Sequence, residues 1–166
     1  MTTALYAGSF DPITLGHIDI LNTASSIFNK VLIAVAYNPE KQCFLPVEAR
    51  VKLIKECLPN NEVYSYDGLT VDFAKQHGAS VLIRGIRNSA DFEYENQLAL
   101  INSKLAKDIK TVFLTSSPEY SFISSSVVRE LLLHKQDLSN FVPQNVAEFL
   151  YRIDFHQNLS IKNKDA

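Results

Sequence analysis

The chain has 166 residues, 46% of them hydrophobic and 20% charged, with a formal net charge of −2. That length suits one domain able to bury a substantial core. The slightly acidic balance excludes a general nucleic-acid or anionic-membrane binder, which needs a basic excess. Cys43 and Cys57 are too few and too far apart for a disulfide framework or a CxxC metal site, so two reduced thiols are expected. No apolar run approaches the ~20 residues of a membrane span. The first residues lack the charged and apolar regions of a signal peptide, and the cytoplasm is the expected location.

In chain order, short apolar runs alternate with longer amphipathic segments. Residues 4–7 read as a first strand ended by Gly8, and 16–28 as a helix with Ile18, Leu21, Ala24, Ile27 and Phe28 at helical spacing. Residues 30–37 are apolar on both faces, like an interior parallel strand, and Asn38-Pro39 stops them. A helix over 47–58, a strand over 62–66 and a helix over 69–77 follow, the last closed by Gly78 as a left-handed cap. Then come a strand at 80–84, a long helix at 92–105, a strand at 111–115, a helix at 125–134 and a last helix at 143–153. The segment 157–166 is polar and aperiodic and reads as a frayed tail, leaving one domain over 1–156.

This alternation predicts right-handed βαβ crossovers and a Rossmann-like, doubly wound α/β fold: a five-stranded parallel sheet with helices on both faces. Ligands of such sheets bind beyond the carboxyl ends of the strands. After the first strand stand Gly8 to His17, where glycine permits a tight turn and Thr14 and His17, three apart, share a face of the first helical turn. A helix N-terminus there favours a phosphate; Thr14 as an N-cap with His17 its hydrogen-bonded neighbour is the plainer alternative. After the fourth strand, Arg84-Gly85-Ile86-Arg87 offers two guanidinium forks around a glycine, suited to phosphate or simply solvated. After the fifth, serines 124–126 open a helix that carries Arg129 one turn in, either a polyphosphate site or a capping sequence. The parallel topology brings all three to one edge. No Walker A, GxGxxG, GxSxG or HExxH motif occurs, and no histidine–carboxylate cluster suggests a tight metal site.

Four stretches, GSFDPITLGH (8–17), LIRGIR (82–87), ADFEYENQLA (90–99) and EYSFISSSVVR (119–129), resemble the bacterial phosphopantetheine adenylyltransferase family of the nucleotidylyltransferase superfamily. The similarity runs from about residue 5 to about residue 153. It implies transfer of adenylate from ATP to 4′-phosphopantetheine, giving dephospho-coenzyme A and pyrophosphate. By motif, Ser9 would touch acceptor phosphate and nucleotide, and the Phe10 backbone would meet ATP. His17 would bind the α-phosphate at the transition state, with Lys41 as the second cation there. Arg84 would hold the acceptor and Thr70 the pantetheine arm. Gly85, Ile86, Arg87 and Glu95 would meet ATP, and Tyr120, Ser121, Phe122, Ile123, Ser124, Ser125 and Ser126 would cradle the nucleotide and its β,γ-phosphates. The position of Arg129 varies to lysine, which leaves its role open. The resemblance also implies Mg²⁺ accompanying ATP, a homohexamer and feedback binding of coenzyme A.

No side chain reads as a covalent nucleophile, and none is required, because the acceptor phosphate is itself the nucleophile and pyrophosphate the leaving group. Catalysis then reduces to alignment and charge stabilisation. A related transferase acting on nicotinamide mononucleotide or glycerol phosphate, and a nucleotide sensor without chemistry, remain the alternatives.

Overall fold

The computed structural model describes residues 1–37 and 43–162, with backbone alone over 154–162. Five strands, β1 (Thr3–Gly8), β2 (Lys30–Ala36), β3 (Val63–Tyr66), β4 (Val81–Ile86) and β5 (Lys110–Thr115), form one sheet in the order β3-β2-β1-β4-β5. Each neighbouring pair is parallel. The chain winds outward from β1 to β3, returns across the sheet to β4, then winds the other way to β5. Right-handed crossovers therefore change face at that return. The order of strands reverses between β1 and β4, and ligand crevices of doubly wound sheets open at such a point.

Strand alternation divides the core into two layers. Ala4, Tyr6, Val31, Ile33, Val35, Val81 and Ile83 face one side. There they meet Ile20, Leu21 and Ala24 of α1 (Leu15–Ile27), Leu53 and Ile54 of α2 (Val47–Cys57), Val128 and Leu132 of α5 (Ser125–Leu133), and Val146 and Leu150 of α6 (Gln144–Lys162). Leu5, Ala7, Leu32, Ala34 and Leu82 face the other side, against Val71, Phe73 and Ala74 of α3 (Thr70–Gln76). The long α4 (Ser89–Leu105) connects β4 to β5 and buries none of its residues.

Three boundaries differ from the periodicity by two residues or more. β4 continues two residues past Arg84, because Gly85 and Ile86 still pair with Leu114 and Thr115 of β5. α4 begins at Ser89, since the Asn88 side chain caps it by accepting the Asp91 N–H at 3.0 Å. α6 runs on to Lys162, past the expected end at 153, through a segment without Pro or Gly to stop it. Gly78 has φ +66, the left-handed cap expected after α3.

Among the described residues two charged side chains are buried, Asp11 and Arg50. Arg50, 1% exposed, donates from Nε to the Leu45 carbonyl (3.1 Å) and from Nη1 to the carbonyls of Ser9 (2.7 Å) and Ala36 (3.1 Å). It joins the carboxyl ends of β1 and β2 to the segment that leads into α2.

Packing on the first layer makes a direct contrast testable. Leu150 is 0% exposed, whereas Leu133, at the end of α5, is 76% exposed. Leu150→Ala should cost about 2–5 kcal/mol in urea unfolding, and Leu133→Ala should stay within about 0.5 kcal/mol.

Candidate active site

The turn after β1 is built around a strained residue. Phe10 has φ +47 yet its side chain is 1% exposed. Its ring stands edge-on to Tyr6 (centroids 5.3 Å apart) and His17 (5.0 Å). A Cβ at Gly8 would come within 3.2 Å of that ring, so glycine is needed there to admit it. Packing thus holds a backbone conformation that an L-residue rarely adopts. The Asp11 carboxylate accepts the N–H groups of Phe44 (2.7 Å) and Leu45 (2.8 Å), pinning the turn to the chain that returns before α2.

α1 opens with a reciprocal cap between Thr14 and His17, as the plainer reading of this turn expects. Thr14 is the N-cap, its side chain accepting from the His17 N–H, while His17 Nδ1 accepts the Thr14 N–H at 3.0 Å. A backbone N–H can only donate, so Nδ1 is the acceptor and the ring proton sits on Nε2. Burial, then the nearby Arg87 charge, lower the His17 pKa to about 4. At neutral pH the imidazole is a neutral donor. Lys41, expected as the second cation there, lies outside the described residues.

Strand alternation sends Arg84 to the face of α3 and α4. Its Nε and Nη2 donate to the two oxygens of Glu95, each at 2.5 Å, and its Nη1 to the Ala7 carbonyl at 2.8 Å. Arg87 donates from Nε (2.8 Å) and Nη2 (3.0 Å) to Asp91. These pairs raise both guanidinium pKa values; for Arg84 they outweigh the opposing effect of burial.

The third wall is the start of α5. Ser124 caps the helix, accepting from the Val127 N–H at 3.1 Å, and Ser125 Oγ donates to the Pro12 carbonyl at 2.8 Å. Arg129 donates to the Asp11 carbonyl and, at 3.0 Å, to Ser126 Oγ. Asp19 of α1 accepts both the N–H and the hydroxyl of Ser117 at 2.8 Å, tying the loop after β5 to the same corner.

These elements enclose a cavity of about 350 Å³ at the carboxyl edge. Of the expected residues, Ser9, Phe10, His17, Arg84, Gly85, Arg87, Glu95, Ile123, Ser124, Ser125 and Ser126 line it. Thr70, Ile86, Tyr120, Ser121 and Phe122 do not. Thr70 bonds the Tyr66 hydroxyl at 2.8 Å, Ile86 is buried, and the Phe122 ring turns to Phe141. Sequence reasoning passed over Tyr6, Ile20, Asp91 and Ser116 as lining residues, and left Arg129 open. Asp91 carried a usable signal, standing four residues before Glu95 in the same helix. Three guanidinium groups face two carboxylates, so the lining suits an anion. Among the described residues no three His, Cys, Asp or Glu side chains gather into a metal cluster.

The cleft at the switch point of this doubly wound sheet has a lining that suits an anion, and the cytidylyltransferase-like family model matches residues 5–131, which gives the class of a nucleotidyltransferase. Two relatives, both named phosphopantetheine adenylyltransferase, come from Lachnoclostridium phytofermentans and Crocosphaera subtropica. The first is 48% identical, covering 91% of this chain and 94% of the relative. The second is 51% identical, covering 86% and 93%. The fold is shared with Plasmodium falciparum nicotinic acid mononucleotide adenylyltransferase at a TM-score of 0.68 and 16% identity, covering 94% of this chain and 97% of that one. It is shared also with a lipopolysaccharide core biosynthesis protein from Thermoplasma volcanium at 0.53 and 21%, covering 70% and 97%. The chain belongs to the phosphopantetheine adenylyltransferase family.

The depressed His17 pKa has a thermodynamic consequence. The unfolded chain binds a proton below about 6.5 that the folded chain refuses until about pH 4, so this site's stability is complete above 6.5 and is lost as pH falls between those values. His17→Gln should reduce the fall in urea-unfolding free energy between pH 7.5 and 5 by about 1–2 kcal/mol relative to the parent. An NMR titration of the parent His17 ring should stay flat from pH 8 to about 5.5.

Proposed function

We infer that this protein transfers adenylate from ATP to 4′-phosphopantetheine, producing dephospho-coenzyme A and pyrophosphate. The observation that carries this reading is the meeting of His17, Arg84, Arg87 and the serine-opened end of α5 around one cavity, in a chain of this family. An oxygen of the acceptor phosphate attacks the α-phosphorus, the bond to the β-phosphate bridging oxygen breaks, and pyrophosphate leaves. His17 donates its Nε2 proton as a hydrogen bond to the α-phosphate as charge builds on it, a neutral donor fixed in advance by the α1 cap. Lys41 supplies the positive charge at the same phosphate.

Arg84 and Ser9 hold the acceptor phosphate, and Thr70, at the head of α3 on the Arg84 side, meets the pantetheine arm. Phe10, Gly85, Ile86, Arg87 and Glu95 border the nucleotide. The turn from Tyr120 through Ile123 and the serines 124–126 receive its base and its β,γ-phosphates, with Arg129 steadying Ser126. Mg²⁺ fits here as a passenger of the triphosphate. The carboxylates at the cleft are already bonded to Arg84, Arg87 and Ser117, so the ion would be held by phosphate oxygens and water and would supply charge neutralisation to the triphosphate. Coenzyme A shares the acceptor's arm and would compete for the same groove. Among the described residues no helix is long and apolar enough to cross a membrane.

Self-association as a homohexamer is supported by α4. Tyr94, Leu98, Ile101 and Leu105 recur at i, i+4, i+7 and i+11, the spacing of a helix-pairing seam. Tyr94, Ile101 and Leu105 are 61%, 56% and 50% exposed. Such a stripe on a helix that buries nothing calls for a partner copy.

Incubation with ATP, Mg²⁺ and 4′-phosphopantetheine should yield dephospho-coenzyme A by mass spectrometry, with none formed from nicotinamide mononucleotide or glycerol phosphate. His17→Ala should lower kcat about 10²–10³-fold with KM for ATP nearly unchanged; a raised KM at constant kcat would refute the role given to His17. Ile101→Glu with Leu105→Glu should reduce the mass found by light scattering to that of a smaller assembly.

A further inference from the structure

Tyr6 sits in the core layer of β1 as a residue of two parts. Its ring packs edge-on to Phe10, with its centroid 6.5 Å from that of His17, and the residue as a whole is 5% exposed. A phenylalanine would fill the same volume without placing a hydroxyl there. Among the described residues no group is hydrogen-bonded to that hydroxyl, whereas every fully buried side-chain oxygen or nitrogen has a partner. The hydroxyl is therefore not sealed in the core. It opens on the cavity that Tyr6 lines. Its neighbours there are Ile20 and Gly85. A Cβ on Gly85 would come within 3.1 Å of Ile20 and 3.6 Å of the Tyr6 oxygen, so glycine at this position keeps the hydroxyl uncovered.

Resting on adenylyl transfer from ATP as the reaction, we propose that the Tyr6 hydroxyl is a further nucleotide contact, donating a hydrogen bond from the floor of the cleft to the sugar–α-phosphate segment of ATP. The choice of segment follows from the neighbours. His17 is directed at the α-phosphate and Gly85 borders the nucleotide, so a donor close to both meets the part of ATP that joins the base to the triphosphate. Burial raises the phenol pKa, which accords with a group that stays protonated and donates at neutral pH. A hydroxyl that makes no bond within the fold adds nothing to its stability, so removing it separates ligand binding from folding.

The test compares the full-length parent with Y6F, and with Y64F as a control whose hydroxyl bonds Glu62 at 2.7 Å on the edge strand β3. Binding is read by calorimetry with α,β-methylene-ATP, AMP and inorganic pyrophosphate, and folding by urea unfolding. Y6F should raise Kd for α,β-methylene-ATP and for AMP about three- to tenfold and leave Kd for pyrophosphate within about twofold. Its urea midpoint should equal or exceed that of the parent. In steady state Y6F should raise KM for ATP by a similar factor, with KM for 4′-phosphopantetheine within about twofold. Y64F should leave all three Kd values within about twofold of the parent. Unchanged Kd values for α,β-methylene-ATP and AMP, or an equal loss for pyrophosphate, would overturn the proposal. So would a lower urea midpoint in Y6F, which would make the hydroxyl part of the fold. A parent that binds no nucleotide would overturn the nucleotide reading of the cleft, and this inference with it. A parent that binds nucleotide but forms no dephospho-coenzyme A would overturn the acceptor alone, and the three Kd values would still decide the role of the hydroxyl.

Discussion

Parallel pairing is the constraint from which the rest of the molecule follows. Each strand must be left by a helix that carries the chain back across a face, so every strand ends at the same edge. At that edge lie the turn after β1, the guanidinium groups at and just beyond the end of β4, and the loop leading to α5. Residues separated by more than a hundred positions, such as Pro12 and Ser125, are joined there by a hydrogen bond. No single segment makes an anion site. The sheet makes it by bringing three half-sites together.

The chemistry of the cleft is one of arrangement more than reactivity. His17 is buried enough to stay neutral and is oriented by its own cap. Arg84 and Arg87 are clamped before any ligand enters, and Phe10 is kept in a left-handed conformation by rings on either side. Each costs something in the free protein: a depressed titration, a partly desolvated ion pair, a strained φ. Such costs are common at sites that stabilise charge by preorganised dipoles and donors.

Much of this was legible in the residues. Val31 to Val35, apolar on both faces, could only be an interior strand, and the positions of Gly8 and Arg84 at strand ends, with the serines that open the helix after the fifth strand, located the cleft. Less legible were features that depend on the third dimension. That Gly85 and Ile86 remain in β4 follows from pairing with β5, which no local pattern records. Glu95 reads as a nucleotide contact from its motif; its additional partnership with Arg84, eleven positions away, needs strand alternation and the path of α4 together. Asp91 was passed over because a carboxylate at a helix start reads as ordinary dipole compensation. Tyr6 was hidden for the opposite reason, since a tyrosine within an apolar strand reads as core, and only its edge at the cavity tells otherwise.

Arg50 adds a last consequence. Its guanidinium spans carbonyls from three separate stretches of chain, a geometry that a lysine ammonium, a single point on a flexible stem, cannot reproduce. Among the described residues no carboxylate answers its charge. A fixed positive centre therefore lies directly behind Ser9, out of reach of dissolved salt. Where exposed arginines lose their pull as ionic strength climbs, this interior charge is screened far less.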